Sequence, residues 1–350
     1  MTPIKRVLSA GVALGVALSL VAACSSSNDG GSSAGGASGA GGSAGSAGVD
    51  GGAGTGGGAG AGGDAAATTP LGLPCGTDQD CGGGLSCLAT DSTDLGGAGP
   101  AKGLCTADCT ADLGKSSSSI CTAIDPAAVC VDLGAPGSPH GVCLEGCSAG
   151  PDSLTDFDPG KCHGRHELAC QPNYDSNNVS TGKGYCQPSC NSDADCGGRT
   201  CNPRTGLCDD QAAQGLPVGS SCPAPGSDAG ADPCRGSCGG VVHSFGGAPF
   251  TYTCSERCTI GAVPSCGWDG NGPADAYCVF VYDANAGRGD QGACGQTCDC
   301  NSDCLDPDLV CLPFNNATLE SQLGHKGYCG DPLGPDGGTN PGISCSDAGL

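Results

Sequence analysis

The residue with the most chemical potential in this chain of 350 is cysteine, which occurs 31 times. A cysteine can ligate a metal, attack a substrate, carry a lipid or form a disulfide, and spacing decides among these. Residues 103–109 read GLCTADC, 141–147 GVCLEGC and 184–190 GYCQPSC, and the frame returns as YTCSERC at 252–258 and GACGQTC at 292–298. In each, one cysteine closes a unit and another, four positions on, opens the next. Four cysteines per unit, labelled a to d, give unit one as Cys75, Cys81, Cys87 and Cys105, and unit two as Cys109, Cys121, Cys130 and Cys143. Unit three is Cys147, Cys162, Cys170 and Cys186, and unit four Cys190, Cys196, Cys201 and Cys208. After a break come unit five (Cys222, Cys234, Cys238, Cys254), unit six (Cys258, Cys266, Cys278, Cys294) and unit seven (Cys298, Cys304, Cys311, Cys329). Cys24, Cys300 and Cys345 stand outside the frame.

The chemistry that fits is oxidative cross-linking. Cysteine near 9% of residues is the level of a disulfide scaffold, which requires an oxidising compartment. The c-to-d spacing runs from 7 in unit four to 18 in units one and seven. A disulfide frame tolerates such drift, because lengthening a surface loop costs little closure entropy. Four cysteines admit three connectivities. The expected one is crossed, a with c and b with d, because it pins each unit's opening segment to its hairpin. The pairs are Cys75–Cys87, Cys81–Cys105, Cys109–Cys130, Cys121–Cys143, Cys147–Cys170, Cys162–Cys186, Cys190–Cys201 and Cys196–Cys208. In the second half they are Cys222–Cys238, Cys234–Cys254, Cys258–Cys278, Cys266–Cys294, Cys298–Cys311 and Cys304–Cys329. Cys300 and Cys345 are then left to join.

Other constellations are weaker. Cys162-His163-Gly164-Arg165-His166, with Cys170 beyond, has a zinc-like outline, but oxidised cysteines are not thiolate ligands. Asp283-Ala284-Asn285-Ala286-Gly287, with Asp290 following, starts like a calcium loop but lacks the bidentate Glu at position 12. The same residues suit a plain turn. Arg288-Gly289-Asp290 spells an adhesion tripeptide. The five histidines, at 140, 163, 166, 243 and 325, are scattered over loops and none sits in a motif beside a nucleophile. Gly41–Gly45 and the glycines at 52, 54 and 57 match the hydrolase elbow and the dinucleotide fingerprint only by composition, without strand–turn–helix context. The expectation is therefore no catalytic residues, no metal and no cofactor, and hence no enzyme.

The elements that must position the cysteines are short hairpins. After c comes a β-prone run, as in VCVDL and YCVFVY. Turn residues interrupt it, and a second run leads into d. Only 3% of the chain is aromatic and Gly numbers 67, too little bulk for a continuous core. The fold class expected is small disulfide-rich repeats of short β-hairpins and loops, with little helix outside the signal peptide. Three-residue connectors suggest an extended array in which each unit touches mainly its neighbours.

In chain order, residues 1–23 read as a secretion signal, with Lys5 and Arg6 before an apolar run. It ends in Val21-Ala22-Ala23-Cys24, which resembles the lipobox of bacterial lipoproteins. The resemblance implies a diacylglyceryl thioether on Cys24, removal of residues 1–23 and a lipid anchor in the membrane. Removing Cys24 also leaves an even number of cysteines. Ser25 at the following position implies transfer to the outer membrane. Residues 24–70 are the lipidated Cys and a disordered Gly/Ala/Ser tether. Residues 71–208 hold four units, 209–221 a linker whose Gly-Leu-Pro echoes Gly72-Leu73-Pro74, and 222–350 three units with a Gly/Pro-rich tail. Units one, four and seven read CGTDQDCGGGLSC, CNSDADCGGRTC and CDCNSDCLDPDLVC. These resemble the Dickkopf N-terminal type of cysteine-rich module, which implies a small disulfide-held unit and no particular signalling partner.

The formal charge of −23 argues against nucleic acid as a partner. The expectation is an envelope-anchored lipoprotein that binds a surface ligand or protein, with the hairpin loops carrying recognition. A structural envelope spacer is the alternative, and a secreted enzyme or protease inhibitor comes third.

Overall fold

The structure is a computed structural model. It describes residues 70–350 apart from 116, 136, 151–156, 175–179, 224–230, 243–251, 282–285, 334–337 and 347–350. Cys24, the lipobox and the tether lie outside the described residues. Each of the seven units contributes one antiparallel c–d hairpin. The strand pairs are Ser86–Leu88 with Leu104–Thr106, Val129–Asp132 with Gly141–Leu144, Leu168–Tyr174 with Ser180–Pro188, and Thr200–Asn202 with Leu207–Asp209. Then follow Ser237–Val242 with Tyr252–Ser255, Ala276–Val281 with Gln291–Cys298, and Val310–Pro313 with Gly327–Gly330. The opening segments of units three, five and six add a strand to their own hairpins. Gln291–Cys298 also pairs with Gly327–Gly330, joining units six and seven in a five-stranded sheet. Among the described residues there are two α-helices, Ser119–Ile124 and Ala317–Leu323, neither long enough to cross a membrane.

Cysteines c and d face each other across every hairpin, from Cys87 opposite Cys105 to Cys311 opposite Cys329. They do not bond to each other. Each reaches back to the opening segment, giving Cys75–Cys87 and Cys81–Cys105 in unit one and the same crossed order in all seven. Cys300–Cys345 is the fifteenth bridge and ties the tail to unit seven. The Cα–Cα distances of 4.9–6.0 Å lie in the ordinary range for a disulfide. Each bridge stabilises by about 2–4 kcal/mol in typical cases, mainly by constraining the unfolded chain.

Backbone pairing explains the three-residue connector. The N–H of d donates to the carbonyl two residues before a: Cys105 to Leu73, Cys143 to Ala107, Cys186 to Glu145, Cys254 to Ser220 and Cys294 to Glu256, all at 2.8–3.0 Å. In three of these pairs the carbonyl belongs to the connector itself, so a connector is an edge of the next unit and not a hinge. The glycine two residues before d is a close-approach residue. At Gly103 (φ +69°) a Cβ would lie 2.0 Å from the Cys75 carbonyl oxygen, and at Gly327 2.1 Å from that of Leu312. No side chain fits there.

The acidic signature of units one, four and seven is a folded turn. In unit four the amides of Asn191 and Ser192 donate to Asp195 Oδ2 at 2.9 and 3.2 Å, and the amide of Cys201 donates to Asp193 Oδ1 at 2.8 Å. Unit one repeats this with Asp80 and Asp78, and unit seven with Asp303 and Asn301. In C-x-x-[DN]-x-D-C, one side chain thus caps the first turn and the other holds the strand that carries c. Burial works to raise the Asp195 carboxyl, but His166 and the amides of Asn191 and Ser192 more than offset it and hold it low. The Asp80 carboxyl is lowered by the amides of Gly76 and Thr77.

The expectation that units touch mainly their neighbours is not met. The unit-one hairpin loop pairs with unit four through Gly99 and Cys208, and Arg199 donates to the Thr90 and Gly97 carbonyls. Unit three reaches unit one through Arg165 and unit six through Lys161. The scarce apolar residues are pooled as well. Leu88, Leu104, Val142, Leu144, Leu168 and Leu207, drawn from units one to four, share one buried cluster. Each fully buried Leu stabilises by about 1.5–3 kcal/mol, so no unit has to supply a core alone. The linker is docked too, with Leu216 paired to both Pro233 and Arg235. The Gly-Leu-Pro echo is not a structural equivalence. Gly72 and Gly219 are the matching positions, each three residues before a and each donating to its own unit's d carbonyl at 2.9 Å.

Candidate functional site

The zinc-like stretch is a structural knot. Cys162 is bridged to Cys186 and Cys170 to Cys147. His163 Nε2 lies 2.7 Å from the Leu71 carbonyl oxygen and 3.1 Å from Glu145 Oε2, whereas His166 Nε2 lies 2.8 Å from Asp195 Oδ1. The two imidazoles therefore serve different neighbours. Between them Arg165, with its side chain 6% exposed, donates to the carbonyls of Gly72, Ala101 and Gly103 and to the Glu167 carboxylate. Lys102 approaches the other Glu167 oxygen at 3.1 Å. Burial would raise the Glu167 carboxyl, but Arg165 wins and keeps it ionised. Glu145 behaves in the opposite way. Burial, reinforced by Asp125, pushes its carboxyl up to about 7, against a smaller lowering by Arg165.

Asp290 of the Arg-Gly-Asp tripeptide is 0% exposed. Its Oδ1 takes Lys161 Nζ at 2.8 Å and its Oδ2 takes the amides of Gly150 and Gly287. The Cys170 amide donates to the Gly289 carbonyl. This tripeptide is a clasp between units six and three and not a presented adhesion loop. Asp283 and Asn285 of the calcium-like loop lie outside the described residues.

A concave site does form where the two cysteine blocks meet. Its volume is about 380 Å³, and unit four, the linker, unit five and unit six all line it. That volume falls within the ~300–1,000 Å³ of small-molecule clefts. The floor is set by Asn191, whose polar groups are all engaged. Its Nδ2 donates to the His166 carbonyl, its Oδ1 accepts from the Thr259 amide, and its own carbonyl accepts from the Gly267 amide. Ala212 and Ala213 of the linker form one side. The charged lining comes from Arg235, Glu256, Arg257, Asp193 and Asp269. Arg235 Nε donates to Glu256 Oε1 at 2.6 Å. Burial leaves the Glu256 carboxyl raised, and Arg235 offsets that only in part. Arg257, half-buried, uses its backbone amide on the Pro203 carbonyl. Among the described residues no carboxylate lies within 4.0 Å of its guanidinium.

The cleft draws on the unit-four string at Cys190–Ala194 and Thr200-Cys201, on the linker and on Glu256-Arg257 of YTCSERC, with Cys190 and Cys201 bridged to each other, but on none of the zinc-like, calcium-like or adhesion residues. Arg257 was visible inside YTCSERC as one of 13 basic residues in a strongly acidic chain. Nothing local showed that it would line the same cleft as Asp193, 64 positions upstream in the numbering. No protein-family profile matches the chain, and neither a curated protein nor a solved structure is significantly similar to it.

Proposed function

We propose that this chain is a lipid-anchored binding protein of the bacterial cell envelope, held at the outer membrane through Cys24 and carrying its disulfide body on the Gly/Ala/Ser tether. The anchor reading rests on the Val21-Ala22-Ala23-Cys24 box and its flanks. Two or more acyl chains give stable anchoring where one is marginal. The binding reading rests on one observation, the cleft at the junction of units four, five and six. Disulfides hold three of its walls, so little ordering remains to be done when a ligand enters, and preorganisation of this kind favours affinity. The dense ties between non-adjacent units also suit the second reading, an envelope spacer that resists proteolysis.

Two experiments test these readings. Cells fed a radioactive fatty acid should label the wild type and not Cys24→Ala; equal labelling would contradict the anchor. Capture of soluble envelope components by intact cells should be saturable and should be lost when Ala213→Trp fills the cleft. Capture that ignores this substitution would favour the spacer.

A further inference from the structure

Cations are scarce, and most of the described ones are committed to carboxylates. Arg165, Arg199, Arg204 and Arg235 each face a carboxylate within 3.4 Å, as do Lys102 and Lys161. Arg257 is the exception that lines a cavity. Its side chain makes no hydrogen bond or ion pair with a described residue, and its neighbour Glu256 is already occupied by Arg235. A guanidinium is a planar fork that matches a carboxylate in two parallel hydrogen bonds, and it binds more strongly where partly desolvated. The lip of the same cleft carries the opposite charge. Asp193 and Asp269 are both exposed there. A backbone amide holds one oxygen of each, Cys201 for Asp193 and Asn271 for Asp269, and the Asn271 side chain also lowers the Asp269 carboxyl, so both are ionised on the exposed lip. A polyanion entering the cleft would be repelled by these two carboxylates and by the net charge of −23.

We infer that the cleft takes a small zwitterion, a molecule with a carboxylate for Arg257 and an ammonium group for the Asp193 and Asp269 side. Free amino acids and short peptides share this chemistry, and the cleft volume of about 380 Å³ admits either. The assignment rests on the cleft being the binding site. Charge at both ends gives it specificity, since a ligand lacking either group leaves one set of side chains unpaired.

The test is equilibrium dialysis of the full chain, oxidised and purified in detergent, against radiolabelled glycine and glycylglycine. At least one probe should bind saturably, and the one that does identifies the source class. Arg257→Gln should weaken it by about 10- to 100-fold, the loss expected for a charge-assisted pair. Asp193→Asn combined with Asp269→Asn should weaken the zwitterion while sparing its N-acetylated form. An unchanged non-reducing peptide map keeps a misfolded Arg257→Gln from counting as support, and Arg257→Lys should recover part of the affinity. Absence of saturable binding of both probes to the wild type up to about 10 mM, or binding that Arg257→Gln leaves unchanged, overturns the inference. If intact cells still lose capture with Ala213→Trp in that event, the cleft remains a binding site and only its ligand class is wrong.

Discussion

Units one, four and seven build the same lead-in turn, and each holds the amide of its own c cysteine with its own side chain: Asp78, Asp193 or Asn301. Unit three has no such turn. Its Cys170 amide goes to the Gly289 carbonyl of unit six, more than a hundred residues away. Both kinds of unit carry the same crossed bridges, so the disulfides alone do not fix the strands. In the first kind a seven-residue motif completes the work locally. In the second, buried charges do it across the body, through Arg165 toward unit one and Lys161 toward Asp290. In the regular units the c amide needs no partner from outside, whereas in unit three it depends on one far away in sequence.

That contrast predicts where the body is most fragile. Arg165→Ala should cause the largest loss. It removes the donor to Oε1 of the Glu167 carboxylate, 1% exposed, leaving Lys102 on the other oxygen, and it removes the donors to three carbonyl oxygens. Removing one partner of a buried pair costs about 3–5 kcal/mol, measured by denaturant unfolding of the oxidised protein. Pairing it with Glu167→Ala should recover part of this, as coupled sites are not additive. A loss no larger than at an exposed position would dissolve the distinction between the two kinds of unit.

Within the regular kind, the same carboxylate should matter more where it is also used by a neighbour. Asp195 is buried and takes His166 of unit three, whereas Asp80 caps only its own exposed turn. Asp195→Ala should cost about 1–3 kcal/mol, and Asp80→Ala visibly less, in the same unfolding experiment. Equal losses would mean that the turn alone, not the link to unit three, sets the value of the motif.

The smallest effect concerns pH. Glu145 has its carboxyl pushed up to about 7 against an ordinary 4.5. The folded state therefore holds a proton that the unfolded state has released. This contribution is fully present below pH ~4.5 and is lost as pH rises through ~7, with a magnitude on the order of 1–2 kcal/mol after solvent screening. Asp195 acts oppositely: its lowered carboxyl stabilises above the ordinary aspartate range, and that stability is lost as pH falls through its folded value. Glu145→Gln should flatten the fall in stability between pH 5 and 8 while leaving the acid limb intact. A slope unchanged by this substitution would remove Glu145 from the account.

The frame was legible because it is covalent and repeats at short range. Cysteines four apart, turn residues between c and d, and β-prone runs around them are local signals. The C-x-x-[DN]-x-D-C string was also visible, though its role in capping amides needed the backbone. What sequence could not carry is the pairing of distant charges. Lys161 and Asp290 are 129 positions apart, and Arg165 meets Gly72 across 93. Read locally, the first stretch suggested adhesion and the second zinc. The pooled Leu cluster was hidden for the same reason, since each unit contributes only one to four residues to it. The cleft depends on four segments at once, and no single segment announces it.

Each hairpin's facing cysteines bond backward to their own opening segment and never to each other. Non-reducing peptide mapping of the purified, unreduced chain tests it directly. Cys170 should be linked to Cys147 and Cys186 to Cys162, with the same crossed order in the other six units and Cys300 linked to Cys345. Recovery of Cys170 linked to Cys186, or of any other c–d pair, would contradict it.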